Sequence, residues 1–245
     1  DRATIDTNGG DISLVGGSDG LGYAQGIYDD VISDLSVQSA LKGIFLNGTY
    51  LDATGDGSGG NIVLRGKGWQ GTANTTNYLY PIGIDIVSYN NDSNTRGVKI
   101  ITNNSGTVSL TGVGGNQNNS TAHNVGINFF SNSGTANTIS SASGNITLTA
   151  TAGNLATSSL HAALNLDGGV TSIYSVSGDV ALVGIGTSSD VGIRSGATMN
   201  VGWDGTNAGT SGDISLTANS MSATGTISVD GSGSLDVVPY GDDFD

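Results

Sequence analysis

The sequence contains no cysteine and no glutamate, and residues that favour helices are scarce. All 21 acidic residues are therefore aspartates, while lysine and arginine together number 7. Without cysteine, the chain can form neither a disulfide framework nor a thiolate metal site. Glycine numbers 41, and Ser, Thr and Asn make up much of the remainder. Because good helix formers are rare and turn formers and β-branched residues are common, the composition argues against a helical fold.

Positive charge is also scarce, and the formal net charge is −14. Seven scattered cations cannot form the basic patch that nucleic-acid backbones require, so we expect no nucleic-acid partner. They equally disfavour binding to an anionic membrane surface. No apolar run reaches the roughly 18 residues that a transmembrane helix needs, so we expect no insertion into a membrane.

Proline is nearly absent, and this helps to separate an ordered chain from a disordered one. Gly- and Ser-rich sequences are often unstructured. Here, however, only 2 residues are proline and 36% are hydrophobic. The Ile, Leu and Val residues recur at regular spacing, which a disordered linker does not need. The pattern therefore indicates a folded repeat protein.

One five-residue motif, Gly-[Asp/Asn/Thr]-[Ile/Val]-x-Leu, recurs six times. Its copies occupy residues 10–14, 60–64, 106–110, 144–148, 178–182 and 212–216. Apolar and polar side chains alternate in each copy, which is typical of a strand with one buried face. Stacked copies would align the Ile/Val residues into one core ladder and the Leu residues into another. The leading glycine suggests a tight corner that requires a positive φ.

Further short strands follow the motif in each unit. Candidate second strands, most of them marked by Gly-Ile or Gly-Val, occupy residues 26–27, 43–46, 83–86, 97–100, 126–129, 164–166 and 192–193. Candidate third strands occupy residues 138–140, 173–175 and 199–201. These patterns predict an all-β fold, a right-handed parallel β-helix (β-solenoid) of about six coils with three strands per coil. We expect one domain over residues 1–245, within a longer protein, with units starting near residues 10, 60, 106, 144, 178 and 212.

Two of the repeats carry a family resemblance. Residues 106–112 (GTVSLTG) and 144–150 (GNITLTA) resemble the repeats of large bacterial exoproteins of the filamentous-haemagglutinin type. The resemblance extends from residue 9 to about residue 229. It implies a parallel β-helix, export from a Gram-negative cell, and a role in adhesion or surface structure. The coils are longer than is usual in that family. The Asn-Pro motifs of its secretion domain are missing, since the prolines are Pro81 and Pro239.

The expected function is that of a structural or adhesive segment of a bacterial cell-surface or secreted repeat protein. Such a segment presents a rigid rod for attachment or assembly, and its location would be extracellular. Possible partners are surface glycans or proteins of a host or the environment, neighbouring repeats of the same chain, or further copies of it. The alternatives are a β-helix enzyme acting on polysaccharides and a self-assembling filament or sheath subunit.

Few residues are candidates for a site. The ligand-binding candidates are Trp69, Tyr78 and Tyr80, whose rings could stack on sugars or simply cover the longer coils. The candidate carboxylates for glycoside hydrolysis are Asp29, Asp30 and Asp34, and Asp85 with Asp92, although neighbouring aspartates are more often turn formers. We therefore predict no catalytic residues and no enzymatic activity.

We predict no cofactor and no metal site, with bound calcium as the alternative. The two histidines, His123 and His161, lie in different units, and no Cys or Glu joins them to make a zinc site. Calcium is more plausible, because aspartates offer hard oxygen ligands. The calcium candidates are Asp56, Asp242, Asp243 and Asp245.

Overall fold

A computed structural model describes most of the chain. The described residues are 3–17, 22–27, 41–71, 80–88, 96–116, 123–131, 135–153, 162–167, 171–187, 191–195, 199–202, 211–223, 226–227 and 233–241. Their strands, in chain order, are β1 (Thr4–Asp6), β2 (Ile12–Leu14), β3 (Ala24–Gln25), β4 (Ile44–Asn47), β5 (Tyr50–Asp52), β6 (Ile62–Lys67), β7 (Ile84–Val87), β8 (Lys99–Ile101), β9 (Val108–Val113), β10 (Ile127–Phe130), β11 (Asn137–Ser141), β12 (Ile146–Thr151), β13 (Ala162–Asp167), β14 (Thr171–Ser175), β15 (Val180–Ile185), β16 (Val191–Ser195), β17 (Met199–Val201), β18 (Ile214–Ala218), β19 (Met221–Ala223), β20 (Thr226–Ile227) and β21 (Leu235–Pro239).

These strands form three parallel sheets that the chain visits in turn. Sheet 1 holds the motif strands, in the order β2-β6-β9-β12-β15-β18-β21, with β3 also paired to β6. Sheet 2 runs β4-β7-β10-β13-β16-β19, and sheet 3 runs β1-β5-β8-β11-β14-β17-β20. Every pairing within the three sheets is parallel, and each joins equivalent strands of successive coils. The predicted parallel β-solenoid, with about six coils and three strands per coil, is confirmed.

The assignment of second and third strands is mostly as predicted, with two corrections. Residues 26–27 do not start a strand of sheet 2; they follow β3, and Ile27 is exposed. Residues 97–100 contribute to β8, which belongs to sheet 3 rather than sheet 2. Both segments carry the Gly-Ile or Gly-Val pattern. That pattern therefore specifies neither that a strand begins nor which sheet the strand joins.

The hydrophobic core consists of apolar columns that run along the solenoid. In sheet 1, Ile62 pairs with Val108, Ile146 pairs with Val180, and the same register continues to Ile214. The leucines of the motif form the neighbouring column, and both columns are buried from the second coil to the sixth. Sheets 2 and 3 add columns through residues such as Ile84 and Ile100. The two predicted core ladders of sheet 1 therefore exist, and the other sheets supply matching ones.

The motif glycine has a different role from the one predicted. No copy of it has a positive φ; among the described residues, the glycines that do are Gly9, Gly17, Gly48, Gly202 and Gly241. Instead, each of the five copies from Gly60 onward lies against the backbone of the coil before it. A Cβ placed on Gly144 would lie 1.9 Å from the carbonyl oxygen of Gly106, and one on Gly60 would lie 2.1 Å from that of Gly10. Glycine is required here because successive coils approach too closely for a side chain.

The polar residue after the motif glycine links the coils. The Asp11 carboxylate accepts a hydrogen bond from the Asn61 backbone N–H at 2.7 Å, and the Asn145 side-chain oxygen accepts one from Asp179 N–H at 2.9 Å. Asp179 in turn accepts from Asp213 N–H at 3.0 Å. A backbone donor at the corner is thereby satisfied by the neighbouring coil, which explains why Asp and Asn recur at this position.

The first motif strand is interrupted by an insertion. Leu14 of β2 pairs with Leu64, and Ala24 of β3 pairs with Gly66, so both segments lie along the same strand, β6. The chain leaves sheet 1 after Leu14 and returns to it at Ala24. Nine residues of sequence therefore separate Leu14 from Ala24, whereas Arg65 alone separates their partners on β6.

A charge placed in a core column should destabilise the fold severely. We expect Leu148→Asp, at a fully buried position, to lower the free energy of unfolding by about 4 kcal/mol or more, because the carboxylate has no partner there. Thr147→Asp, one residue earlier and on the outer face, should cost less than about 1 kcal/mol. Thermal unfolding followed by circular dichroism measures both, and equal effects would contradict the assigned faces.

The close approach of the glycine column gives a second prediction. Gly144→Ala should lower the free energy of unfolding by about 1–3 kcal/mol, because the added methyl group forces neighbouring coils apart. Gly57→Ala is the matched control, since a Cβ at Gly57 meets nothing within 4 Å. Its effect should stay within about 0.5 kcal/mol. An unfolding midpoint unchanged in both variants would refute the steric role of the column.

Candidate functional site

A cleft of about 340 Å³ lies against the outer face of sheet 2. Its lining residues are Lys42, Tyr80, Ile82, Asp85, Val87, His123, Val125, Asn128, Phe130 and Asn165. Eight of them form four pairs of equivalent positions on two successive coils, each pair separated by 43 residues: Tyr80 and His123, Ile82 and Val125, Asp85 and Asn128, and Val87 and Phe130. The cleft is therefore a product of the repeat, with Lys42 and Asn165 added from the coils on either side.

The floor of the cleft is a polar column. Asp85, Asn128 and Asn165 are in register on β7, β10 and β13, between inward-facing residues of the core. Asn128 Nδ2 donates to Asp85 Oδ1 at 2.7 Å, and Asn165 Nδ2 donates to Asn128 Oδ1 at 2.7 Å. Asp85 and Asn165 are almost fully buried, at 2% and 8% exposure. Hydrogen bonds along the column offset the cost of burying these polar groups.

An ion pair fixes one end of this column. Lys42 Nζ lies 2.5 Å from Asp85 Oδ2 and 4.0 Å from the centroid of the Phe45 ring. Each carboxylate oxygen of Asp85 therefore has a partner, Oδ1 from Asn128 and Oδ2 from Lys42. The carboxylate and the ammonium group compensate each other, so the pair contributes no net charge to the cleft.

The direction of the hydrogen bonds follows from the carboxylate. An ionised Asp85 can only accept, so Asn128 must turn its amide nitrogen towards Asp85 and its oxygen towards Asn165. Asn165 must then donate to that oxygen through its own nitrogen. Its Oδ1 is left as the end of the column, buried and without a hydrogen-bond partner among the described residues.

The walls of the cleft are apolar and aromatic. On the side where the chain enters sheet 2, the Tyr80 and His123 rings meet edge to face with their centroids 4.5 Å apart. Ile82 and Val125 lie between this pair and the polar column. On the other side are Val87 and Phe130, the latter 38% exposed. The cleft thus offers polar groups along its centre and hydrocarbon or ring surface on both flanks.

The predicted ligand-binding aromatics are separated by the structure. Tyr80 lines the cleft, whereas Trp69 does not. Trp69 instead lies two residues after β6, where its backbone N–H donates to Leu41 O at 2.9 Å and its ring covers Gly71. Tyr78 lies outside the described residues. The assignment of these three residues to ligand binding stays a prediction.

The aspartate candidates are similarly divided. Asp85 lies in the cleft and is paired with Lys42, and it is the one carboxylate among the residues that line it. Asp29, Asp30, Asp34 and Asp92 lie outside the described residues.

The calcium candidates do not meet within the described part of the chain. Asp56 is exposed in the turn between β5 and β6, and Asp242, Asp243 and Asp245 lie outside the described residues. Among the described residues, no three His, Cys, Asp or Glu side chains come close enough together to hold a metal ion.

Within the described residues, no helix has the length and hydropathy to span a membrane.

Sequence reasoning missed Lys42, Asn128, Phe130 and Asn165. A usable signal was present, because the second strands read Ile-Asp-Ile, Ile-Asn-Phe and Leu-Asn-Leu at residues 84–86, 127–129 and 164–166. Aligning these strands places Asp85, Asn128 and Asn165 in one outward column. The position of Lys42 could not be found in this way, since it precedes its strand and reaches across to the next coil.

Comparison with known proteins identifies no relative. No protein-family model, no curated protein and no solved structure matches this chain. Its fold places it in the class of parallel β-solenoids, and the resemblance to filamentous-haemagglutinin-type repeats rests on the quoted motifs alone.

The ion pair in the cleft generates a prediction about stability. Lys42→Met should lower the free energy of unfolding by about 3 kcal/mol, because it leaves the buried Asp85 carboxylate without its cation. In the double variant Lys42→Met/Asp85→Asn, much of this loss should be recovered. Lys99→Met is the control, since Lys99 is exposed and should contribute less than about 0.5 kcal/mol. Additive effects of the two cleft substitutions in chemical denaturation would contradict the coupling.

Proposed function

We propose that this chain is a structural or adhesive segment of a bacterial cell-surface or secreted repeat protein, presenting a rigid rod for attachment or assembly. The observation that supports this most directly is the continuity of three parallel sheets, in one register, over successive coils. Each coil is hydrogen-bonded to the next on all three sides, so bending the rod would strain several ladders at once. A stiff body of this kind suits a spacer that holds a binding surface away from a cell.

The composition supports an extracellular role in the same way. The chain has no cysteine and a net charge of −14, which favours solubility and leaves no bridge to form before export. Expected partners are glycans or proteins of the surfaces that the rod meets. Direct binding to nucleic acid and insertion into membranes are not part of this proposal.

Adhesion can be measured with the isolated chain. Beads carrying the chain should bind to cell monolayers or to a glycan array more strongly than beads carrying Leu148→Asp, which disrupts the fold. In intact producing cells, we expect the native protein to be cleaved by externally added protease. Absence of adhesion above that of the variant would remove the adhesive role, and protection from protease would contradict the surface location.

Assembly by stacking is a second candidate, and the exposed side chains of β21 favour it. Leu235 and Val237 of β21 pair with Ile214 and Leu216, so they continue the two core columns of sheet 1. Both are exposed, at 44% and 49%. A further coil, from the same polypeptide or from a second copy, would cover them as the earlier coils cover one another.

End-to-end association can be tested with a charge in this exposed column. The 245-residue chain should show a mass that rises with concentration in light scattering, and Val237→Asp should lower it towards the monomer. Asp236→Asn, which changes the alternate face of β21, is the control and should behave as the parent chain. A concentration-independent monomer in all three proteins would rule out assembly through β21.

A further inference from the structure

The unsatisfied end of the polar column points to a ligand. Asn165 Oδ1 is buried, carries no hydrogen-bond partner among the described residues, and belongs to a side chain that lines the cleft. Leaving a buried acceptor unpaired costs free energy, on the order of 1–3 kcal/mol. The direction of the column, fixed by Asp85, means that a partner at this point must be a hydrogen-bond donor.

The next strand carries a second unsatisfied group, which lies outside the residues that line the cleft. Arg194 of β16 is in register with Asn165, and its Nη1 is also buried without a hydrogen-bond partner in the described structure. An acceptor and a donor thus lie on neighbouring strands. A hydroxyl group can donate to Asn165 Oδ1, whereas a carboxylate or phosphate would meet that oxygen with like partial charge.

The charged residues that line the cleft, Lys42 and Asp85, favour a neutral ligand. Lys42 is paired with Asp85, so it offers no free cation to an acidic ligand. Both oxygens of Asp85 already have partners, so no free carboxylate is left for an amine. The net charge of −14 over the whole chain further disfavours anions.

The shape and the surface of the cleft agree with this chemistry. A volume of about 340 Å³ lies at the lower end of the range found for small-molecule sites, which begins near 300 Å³. Its polar centre lies between Tyr80 with His123 on one flank and Val87 with Phe130 on the other. A pyranose ring has the matching pattern, with hydroxyl groups at its edge and C–H groups on its faces that pack against aromatic rings.

We propose that the cleft binds one or two units of a neutral saccharide, with a sugar hydroxyl donating to Asn165 Oδ1 and Phe130 packing against the ring. This inference goes beyond the proposed rod, because a rod needs no pocket. The saccharide site and the proposed adhesive role can also be refuted independently of each other. Sugar binding by the free chain in solution requires neither a surface location nor adhesion, and adhesion through another face requires no sugar in the cleft.

Saturation-transfer NMR with defined sugars tests the proposal. The probes are methyl α-D-mannoside, methyl β-D-galactoside, N-acetyl-D-glucosamine and maltose, with D-glucuronate as the acidic probe and D-glucosamine as the amine probe. We expect transfer to at least one neutral sugar, with a dissociation constant in the millimolar range that is usual for a few hydrogen bonds. The absence of saturation transfer to all four neutral sugars, or transfer to the charged probes alone, would overturn the neutral-saccharide assignment.

Substitutions show whether the sugar binds in the cleft or on another surface of the protein. Asn165→Leu removes the unpaired acceptor, and Phe130→Ala removes a ring that is 38% exposed and lies outside the core cluster. Each should weaken binding of the sugar roughly tenfold or more. Thr149→Val, on the outer face of sheet 1 in the same coil as Asn165, should bind as the parent chain does. If Asn165→Leu fails to fold, Phe130→Ala still decides the question, and unchanged affinity in Phe130→Ala would refute the site.

Discussion

The structure depends on the parallel pairing of equivalent strands in successive coils. This pairing places every residue directly above its counterpart, so each property of a coil is repeated along a line. An apolar residue becomes part of a core column, a glycine part of a column of close backbone approach, and an aspartate or asparagine part of a hydrogen-bonded chain. A side chain is therefore favourable only if it tolerates its neighbours one coil away.

The same constraint explains the cleft. Asp85 and Asn128 are equivalent positions, as are Val87 and Phe130, so the two coils present the same arrangement twice with altered chemistry. Substitution within a column is how a uniform rod acquires a local site. Lys42 and Asn165 complete it from the adjoining coils, one supplying a cation and the other an unpaired acceptor. The site belongs to no single repeat, and it requires the stack to be intact.

Sequence reasoning predicted the features that follow directly from the spacing and alternation of the repeat. Alternation and recurrence were enough for the parallel solenoid, the motif strands and the two core columns through residues such as Ile146 and Leu148. The role of the motif glycine was predicted wrongly, because glycine permits both a positive φ and a close approach, and only the distance between Gly144 and Gly106 distinguishes them. The cleft was missed for a related reason. Its residues are ordinary when read along the chain, and their significance lies in contacts across 37 to 43 positions.

The interruption between β2 and β3 shows how such a chain can gain sequence without losing its framework. Nine residues of sequence separate Leu14 from Ala24, yet their partners on β6 are separated by Arg65 alone, so the strand resumes in register. Outward-facing positions of a solenoid strand therefore tolerate inserted residues, because an insertion there need not disturb the buried core columns. For protein engineering, this makes the segment after Leu14 a place to graft a foreign peptide, which would then be displayed from a defined coil of a rigid solenoid.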